Sequence, residues 1–287
     1  MFDSILNIIP PLLLAACAGY FPYRAGILNI GLEGLMALGA FSGFLAAALT
    51  GSWWVGIASG ALTGGLSAAL FARVVQSLDS NIFLSGLGLN LAAAGGLGIV
   101  SQIVFGTKGV LRPSVAGELP FPADPRLMPL FLAGAAFIFL MLSLRRSRWG
   151  HRIIAAGEAP QALANLGISV EGIRFQALVI SGIGCGAAGA LLSLDIGAYV
   201  PNMTGGRGWI ALVALYIAAS RPAGLLGTVL LFSAASAAAT SLQGLTGIPD
   251  SLLLASPFFI TFLGLLAASG ARTIMAAKGR KRAVRPD

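Results

Sequence analysis

Residues 34–72 have the sequence GLMALGAFSGFLAAALTGSWWVGIASGALTGGLSAALFA, which contains no charged side chain. About 20 consecutive apolar residues cross the hydrocarbon core of a bilayer. The stretch is therefore long enough for two passes, with a hinge at Gly51-Ser52-Trp53-Trp54. This pattern predicts a membrane protein with several spans.

The composition of the 287 residues supports the same class. Hydrophobic residues make up 57% and charged residues only 10%, whereas soluble domains have about 25% charged residues. These values exclude a soluble enzyme, a disordered chain and a disulfide scaffold. The net charge of +8 is explained by lipid headgroups and membrane topology rather than by nucleic-acid binding.

Other apolar stretches predict the remaining spans. These are Ser4–Phe21, Ser80–Thr107, Leu127–Leu144, Phe175–Leu194, Gly208–Ser220, Pro222–Pro249 and Ser251–Ala271. The sequence predicts an all-α, polytopic membrane helix bundle of about nine transmembrane segments (range 8–10), with at least one broken helix. Residues 1–274 form the membrane domain, and residues 275–287 form a basic tail. The Gly208–Ser220 segment is short for a full crossing.

The basic residues indicate the orientation of the chain. The loop of residues 145–174 and the C-terminal tail are both rich in arginine and lysine, so both are expected in the cytoplasm. Four crossings between them place the N-terminus outside and the C-terminus in the cytoplasm. A topology with only two crossings there also keeps both basic regions inside.

The chain lacks the motifs of an enzyme. It contains no Gly-x-x-x-x-Gly-Lys-Ser/Thr phosphate loop, and no catalytic triad or carboxylate pair lies in the spans. Cys17 and Cys185 lie in apolar runs and are expected to be inert core residues. The single histidine, His151, cannot build a metal site. The sequence therefore predicts no catalytic residues, no metal and no cofactor in this chain.

The first informative motif is RAGILNIGLEGLMALGA at residues 24–40. Asn29 and Glu33 stand among apolar residues, where an ionisable group is costly unless it meets a partner, water or free backbone amides. A broken helix supplies such amides at its second start, where the helix dipole favours a carboxylate. Glu33 is either a structural cap or part of a substrate pathway, and Asn29 is a further pathway candidate.

The second motif is AAGEAPQALANLGI at residues 155–168, within the basic loop. Pro160 suits a first helical turn, and Gly167 suits a helix end. Small residues at 162 and 164 leave a shallow surface that fits another protein's groove. A plain connecting helix is the alternative. The candidate docking residues are Gly157, Glu158, Pro160, Ala162, Ala164 and Gly167.

The third motif is PNMTGGRGWIAL at residues 201–212. Arg207 is a cation at membrane depth that needs a partner, and Asp195 on the preceding span is the candidate for an ion pair. Asn90, in LGLNLA at residues 87–92, is either a polar group of the pathway or an interhelical hydrogen-bonding residue.

These three motifs, in this order, resemble the permeases of bacterial ABC transporters for branched-chain amino acids, simple sugars and nucleosides. Asn-Ile-Gly-Leu-Glu-Gly at residues 29–34, followed by Met36 and Gly39-Ala40, is similar to the nucleoside-uptake branch. Sugar permeases of the ribose type carry a Gly-Ile-Asp-Leu-Ser-Val-Gly pattern there. The basic loop departs from the usual family pattern at Ile154, where arginine is common, and at Ala159, where asparagine is common.

The resemblance implies the permease subunit of an ATP-driven importer, with nucleosides as the expected substrates. It also implies a second permease subunit, cytoplasmic ATPase subunits that bind ATP and Mg, and an extracytoplasmic substrate-binding protein. The expected location is the inner membrane of a bacterial cell. Import of simple sugars or branched-chain amino acids is the alternative within this class. A secondary transporter or channel that works without an ATPase is the alternative from another class.

Overall fold

The structure is a computed structural model that describes residues 2–112, 127–218 and 221–242. These residues form ten helices. The helices are α1 (Phe2–Arg24), α2 (Leu32–Thr50), α3 (Trp53–Ser77), α4 (Ile82–Phe105), α5 (Leu127–Arg146), α6 (Arg148–Glu158), α7 (Pro160–Asn165), α8 (Val170–Ile196), α9 (Arg207–Ala218) and α10 (Pro222–Leu242). The only β pairing in the described parts is one isolated bridge between Leu111 and Tyr199. The predicted all-α class is confirmed for these residues.

Seven of these helices, α1 to α5, α8 and α10, are long and apolar enough to cross a membrane. Helix α9 has only 12 residues and is about 18 Å long, well short of the roughly 30 Å hydrocarbon core. The predicted span at residues 251–271 and the basic tail at residues 275–287 lie outside the described residues. The total of about nine spans and the broken helix stay predictions.

The predicted hinge in the first apolar stretch is confirmed. Helix α2 ends at Thr50 and is capped by Gly51, whose φ of 66° is left-handed and whose amide donates to the carbonyl of Ala47. Glycine tolerates this conformation because it has no Cβ. Helix α3 starts two residues later at Trp53, so the uncharged stretch divides into two antiparallel helices.

Helices α2, α3 and α8 form the centre of the bundle and pack backbone against backbone. A Cβ on Gly39 would overlap the backbone of Gly186, and one on Gly64 would overlap the backbone of Gly182. Small residues allow this close approach, which strengthens helix packing inside a membrane. Helices α2 and α8 run parallel to each other and pack directly together, and α3 packs antiparallel against both of them.

Helix α4 lies at the edge of the described bundle. Only 17% of its most apolar 18-residue segment is buried, whereas 72% of the corresponding segment of α8 is buried. Its glycines at 88, 95, 96 and 98 have nothing within 4 Å of an added Cβ. Among the described residues, one face of α4 is therefore open.

Candidate functional site

Glu33 joins the starts of two helices inside the bundle. It lies in the first turn of α2, and its two carboxylate oxygens accept hydrogen bonds from the backbone amides of Gly206 at 2.9 Å and Gly208 at 2.7 Å. These amides belong to the N-terminus of α9, which starts at Arg207. Glu33 thus caps α9 from another helix.

The capping arrangement has a clear electrostatic cause. The first amides of a helix have no partner within it, and the helix dipole makes this end positive. A carboxylate satisfies both demands with charge-assisted hydrogen bonds. The amides come from the start of α9, because the Glu33 side chain reaches across to a segment that is distant in the sequence.

Glycine at 208 is required by this contact. A Cβ there would lie 2.6 Å from the Cα of Glu33 and 2.8 Å from its Oε2. No side chain fits without separating α2 from α9. Here the glycine serves a close approach of two backbones.

Asn90 on α4 fixes the turn that precedes α2. Its Oδ1 accepts from the amide of Gly34 at 2.7 Å, and its Nδ2 donates to the carbonyl of Ile30 at 2.9 Å. One buried side-chain amide thus satisfies a donor and an acceptor of another segment. This geometry is that of interhelical hydrogen bonding.

Asn29 is buried, with 2% of its surface exposed. Its Oδ1 accepts from the amide of Gly31 at 3.1 Å, and its Nδ2 donates to the Oγ of Ser181 at 3.0 Å. Ser181 lies close to the middle of the 27-residue helix α8. The turn before α2 is therefore held at about half the depth of the bundle.

A cavity of about 160 Å³ adjoins Glu33 and Asn90. It is enclosed by α2, by α4 and by the segment that leads into α9. Its lining residues are Glu33, Gly34, Ala37, Asn90, Ala94, Leu97, Gly98, Ser101, Tyr199, Pro201, Asn202 and Thr204. Two of the three pathway candidates thus line the cavity, and Asn29 does not.

Several polar groups of the cavity were not predicted. Ser101, Tyr199 and Thr204 bring hydroxyl groups to it. Ser101 and Tyr199 lie outside the quoted motifs, and Thr204 lies inside the third motif but was not singled out. The spacing of Ser101 and the predicted Asn90, which places them on one face of α4, is the only signal that could have indicated Ser101. Tyr199 reaches the cavity because it pairs with Leu111 and packs edge-on against Phe41.

Arg207 finds its partners within its own turn. Its guanidinium donates to the carbonyls of Met203 at 2.9 Å and Thr204 at 3.3 Å. Asp195 lies near the end of α8, beside Asn7 and Pro10 of α1. Both residues belong to the described part of the chain, and they form no ion pair there. The predicted pair is therefore not present in this structure, because Arg207 curls back over the turn that precedes α9.

The predicted docking segment forms a short helix. Pro160 opens α7, and Gly167, with a φ of 75°, follows its end. Leu163 is 4% exposed and anchors the helix, whereas Leu166 is 75% exposed. Ala162 and Ala164 are also exposed. The helix thus presents a small apolar surface to the outside of the bundle.

The loop that carries α7 is fixed to the connection between α1 and α2, residues 25–31. A Cβ on Gly157 would overlap the carbonyl oxygen of Arg24 and lie 3.0 Å from the amide of Gly26. Arg24 also forms an ion pair with Glu158 at 2.7 Å. The same connection continues into Asn29 and the start of α2, so it physically links the loop to the cavity.

Two solved structures have a similar fold. The chain aligns with a chain of "PsaBC from Streptococcus pneumoniae in complex with Fab" at a TM-score of 0.54 and 10% identity, covering 91% of this chain and 89% of that one. It aligns with "An inward-facing conformation of a putative metal-chelate type ABC transporter" at a TM-score of 0.50 and 19% identity, covering 90% and 88%. At such low identities the likeness concerns the fold alone.

Residues 1–270 match the family described as "Branched-chain amino acid transport system / permease component". The chain belongs to this family of ABC-transporter permeases. It is 38% identical over 250 residues to the putative glucose ABC transporter permease protein TsgC13 of Haloferax volcanii, covering 81% of this chain and 74% of that protein.

Two other relatives are named as permeases for nucleosides. The nucleoside ABC transporter permease protein NupC of Lactococcus lactis is 32% identical, with 89% of this chain and 87% of that protein covered. The guanosine ABC transporter permease protein NupQ of Bacillus subtilis is 30% identical, with 94% and 92% covered. The predicted family resemblance is confirmed.

Proposed function

We propose that this permease imports nucleosides. The observation that carries the proposal is the cavity beside Glu33, which is lined by amide and hydroxyl side chains on Ser101, Tyr199, Asn202 and Thr204. Such groups match the ribose hydroxyls and the ring nitrogens of an uncharged nucleoside, and the apolar walls match a base. Ligand pockets commonly combine apolar walls with a few well-placed polar groups.

Glucose is the second candidate substrate. The relative TsgC13, at 38% identity, is named as a putative glucose permease, and the same hydroxyl groups would also bind a sugar. The two candidates differ in the base, which needs an apolar or aromatic surface. The cavity offers the ring of Tyr199 and the side chain of Leu97 for this purpose.

A second permease subunit, either the same chain or a related one, completes the pathway in this proposal. The supporting observation is the open face of α4, where the glycines at 88, 95 and 98 have free space around them. The same helix lines the cavity with Asn90 and Ser101. A partner packed on α4 would therefore lie beside the substrate cavity.

ATP and Mg are bound by separate cytoplasmic ATPase subunits, which dock on α7. The exposed Ala162, Ala164 and Leu166 form the docking surface, and Leu163 holds α7 on the bundle. The ATPase dimer has open and closed forms that fit α7 differently, so its cycle biases the inward and outward states of the permease. An extracytoplasmic binding protein delivers the nucleoside at the opposite end.

Movement of α7 reaches the cavity through the connection of residues 25–31. Gly157 holds the loop against Gly26, and the chain then continues to Asn29 and Glu33. Glu33 in turn holds the start of α9. The proposal therefore assigns Glu33 a positioning role within the pathway and the loop a coupling role.

Uptake in proteoliposomes tests the proposal. The permease is reconstituted with its ATPase, its second permease subunit and its binding protein, and tritiated guanosine, uridine and glucose are supplied in parallel. We expect ATP-dependent uptake of the nucleosides, with unlabelled nucleoside but not glucose competing. Uptake of glucose alone would support the second candidate, and guanosine uptake by the lone chain without an ATPase would contradict the ABC mechanism.

A further inference from the structure

A second cavity, of about 370 Å³, lies at the end of the bundle that carries the 145–174 loop. It is separate from the cavity beside Glu33. Three arginines, Arg24, Arg145 and Arg221, line it from three different parts of the chain. They come from the end of α1, the end of α5 and the residue before α10.

The positive charge of this cavity is only partly balanced. Arg24 is paired with Glu158 at 2.7 Å. Within the described part of the chain, neither Arg145 nor Arg221 forms an ion pair. Like charges that share a cavity repel each other unless an anion lies between them. Two arginines with planar donor groups suit a phosphate, which they bind with paired hydrogen bonds.

Apart from Tyr20, the rest of the cavity wall is apolar. Leu144 and Ile154 line it, and Pro222 lies at the start of α10. Helices α1, α5 and α10 are all candidate membrane spans, so the cavity opens where their ends meet the headgroup region. An apolar wall contributes nothing to the binding of a free phosphate ion, whereas the glycerol and acyl chains of a lipid pack against such a wall.

We propose that this cavity binds the phosphate of an anionic phospholipid such as phosphatidylglycerol. Basic pockets between membrane helices on the cytoplasmic side bind such headgroups in general. The lipid would join α1, α5 and α10 beside the loop that carries α7. This site is independent of the transported substrate and of the assignment of the pathway.

Native mass spectrometry of the full chain in detergent tests the site. The probes are phosphatidylglycerol and phosphatidylcholine, each titrated against the wild type. The test variant is Arg145→Gln with Arg221→Gln, and the matched control is Arg146→Gln with Arg148→Gln. The control removes the same charge from exposed residues of the same loop that do not line the cavity. Thermal unfolding of each variant checks that it is folded.

We expect the wild type to retain phosphatidylglycerol in preference to phosphatidylcholine. The test variant should bind phosphatidylglycerol roughly twenty-five-fold more weakly, because each basic residue near an anionic headgroup contributes on the order of a factor of five. The control should bind as the wild type does. Equal weakening in both variants, or none in either, would overturn the site. If inorganic phosphate raised the unfolding temperature of the chain as much as phosphatidylglycerol does, the lipid assignment would be overturned.

Discussion

The carboxylate of Glu33 lies 2.7 Å from the backbone amide of Gly208, although 175 residues separate them in the chain. This contact joins the first turn of α2 to the first turn of α9. Both helices start beside the cavity, so Glu33 fixes the position of one helix start against the other.

When Glu33 is replaced, the loss of transport should be larger the fewer hydrogen bonds to the start of α9 remain. Glu33→Gln keeps one acceptor oxygen but turns an amide donor towards a backbone donor, so we expect uptake to fall on the order of tenfold, as for about 1.4 kcal/mol. Glu33→Leu leaves both amides of α9 without their partner and should abolish uptake. Uptake assays normalised to the amount of permease in the membrane measure both effects. Normal uptake by Glu33→Leu would show that the cap has no role.

The variant Gly208→Ala should fail because of the backbone contact. Its Cβ would lie 2.6 Å from the Cα of Glu33, so α2 and α9 must separate. We expect a lower unfolding temperature and loss of uptake. The control is Gly134→Ala in α5, where nothing lies within 4 Å of the added Cβ and alanine favours the helix by about 1 kcal/mol. Equal behaviour of the two variants would contradict the assigned contact.

The variant Gly157→Ala should separate ATPase binding from transport. The added methyl group would collide with the carbonyl of Arg24 and push the loop away from residues 25–31. The exposed surface of α7 stays intact, so the ATPase should still co-purify with the permease. We expect ATP hydrolysis without matching uptake. Coupled uptake at the wild-type ratio would show that this contact does not transmit the movement.

Seven of the predicted spans correspond to candidate membrane helices in the described residues, because each of these apolar runs is bounded by charges or turn residues. Gly51 ended α2 as expected, and Gly167 followed α7. The partners of the polar residues could not be predicted in the same way. Asn29 forms a hydrogen bond with Ser181, and Glu33 forms one with Gly208. These partners lie 152 and 175 residues apart in the sequence, so the hydrogen bonds depend on how α2, α8 and α9 pack.

The error at Arg207 has the same origin. Charge alone favoured a pairing with Asp195, the nearest acidic residue before it in the sequence. The turn of residues 203–206 offers carbonyl oxygens at closer range, and a local turn of this kind is not visible in the composition. Nor did the motif show that Gly208 lies against the backbone of Glu33.

The proposed orientation predicts which connections a membrane-impermeant thiol reagent reaches in intact cells. Lys108→Cys should be labelled from outside, and Asn165→Cys should be labelled only after the cells are opened. Both positions are exposed. The native Cys17 and Cys185 are buried and give little background. The reverse labelling pattern would invert the topology.

Variants of the docking surface on α7 test the central claim, which is that an ATPase drives this permease through the loop of residues 145–174. The test variant is Ala162→Glu with Ala164→Arg, and the control is Val110→Glu, which adds a charge to an exposed residue near the end of α4. A charge buried without a partner in a protein interface costs several kcal/mol, whereas neither change disturbs the packing of the bundle.

The decisive measurement is ATP-driven nucleoside uptake together with co-purification of the ATPase, for both variants at equal membrane levels. The account predicts that the α7 variant loses the ATPase and all uptake, while the binding protein still binds nucleoside and the Val110→Glu control transports normally. Full ATPase association and full uptake by the α7 variant would contradict the account and leave α7 as a connecting helix only.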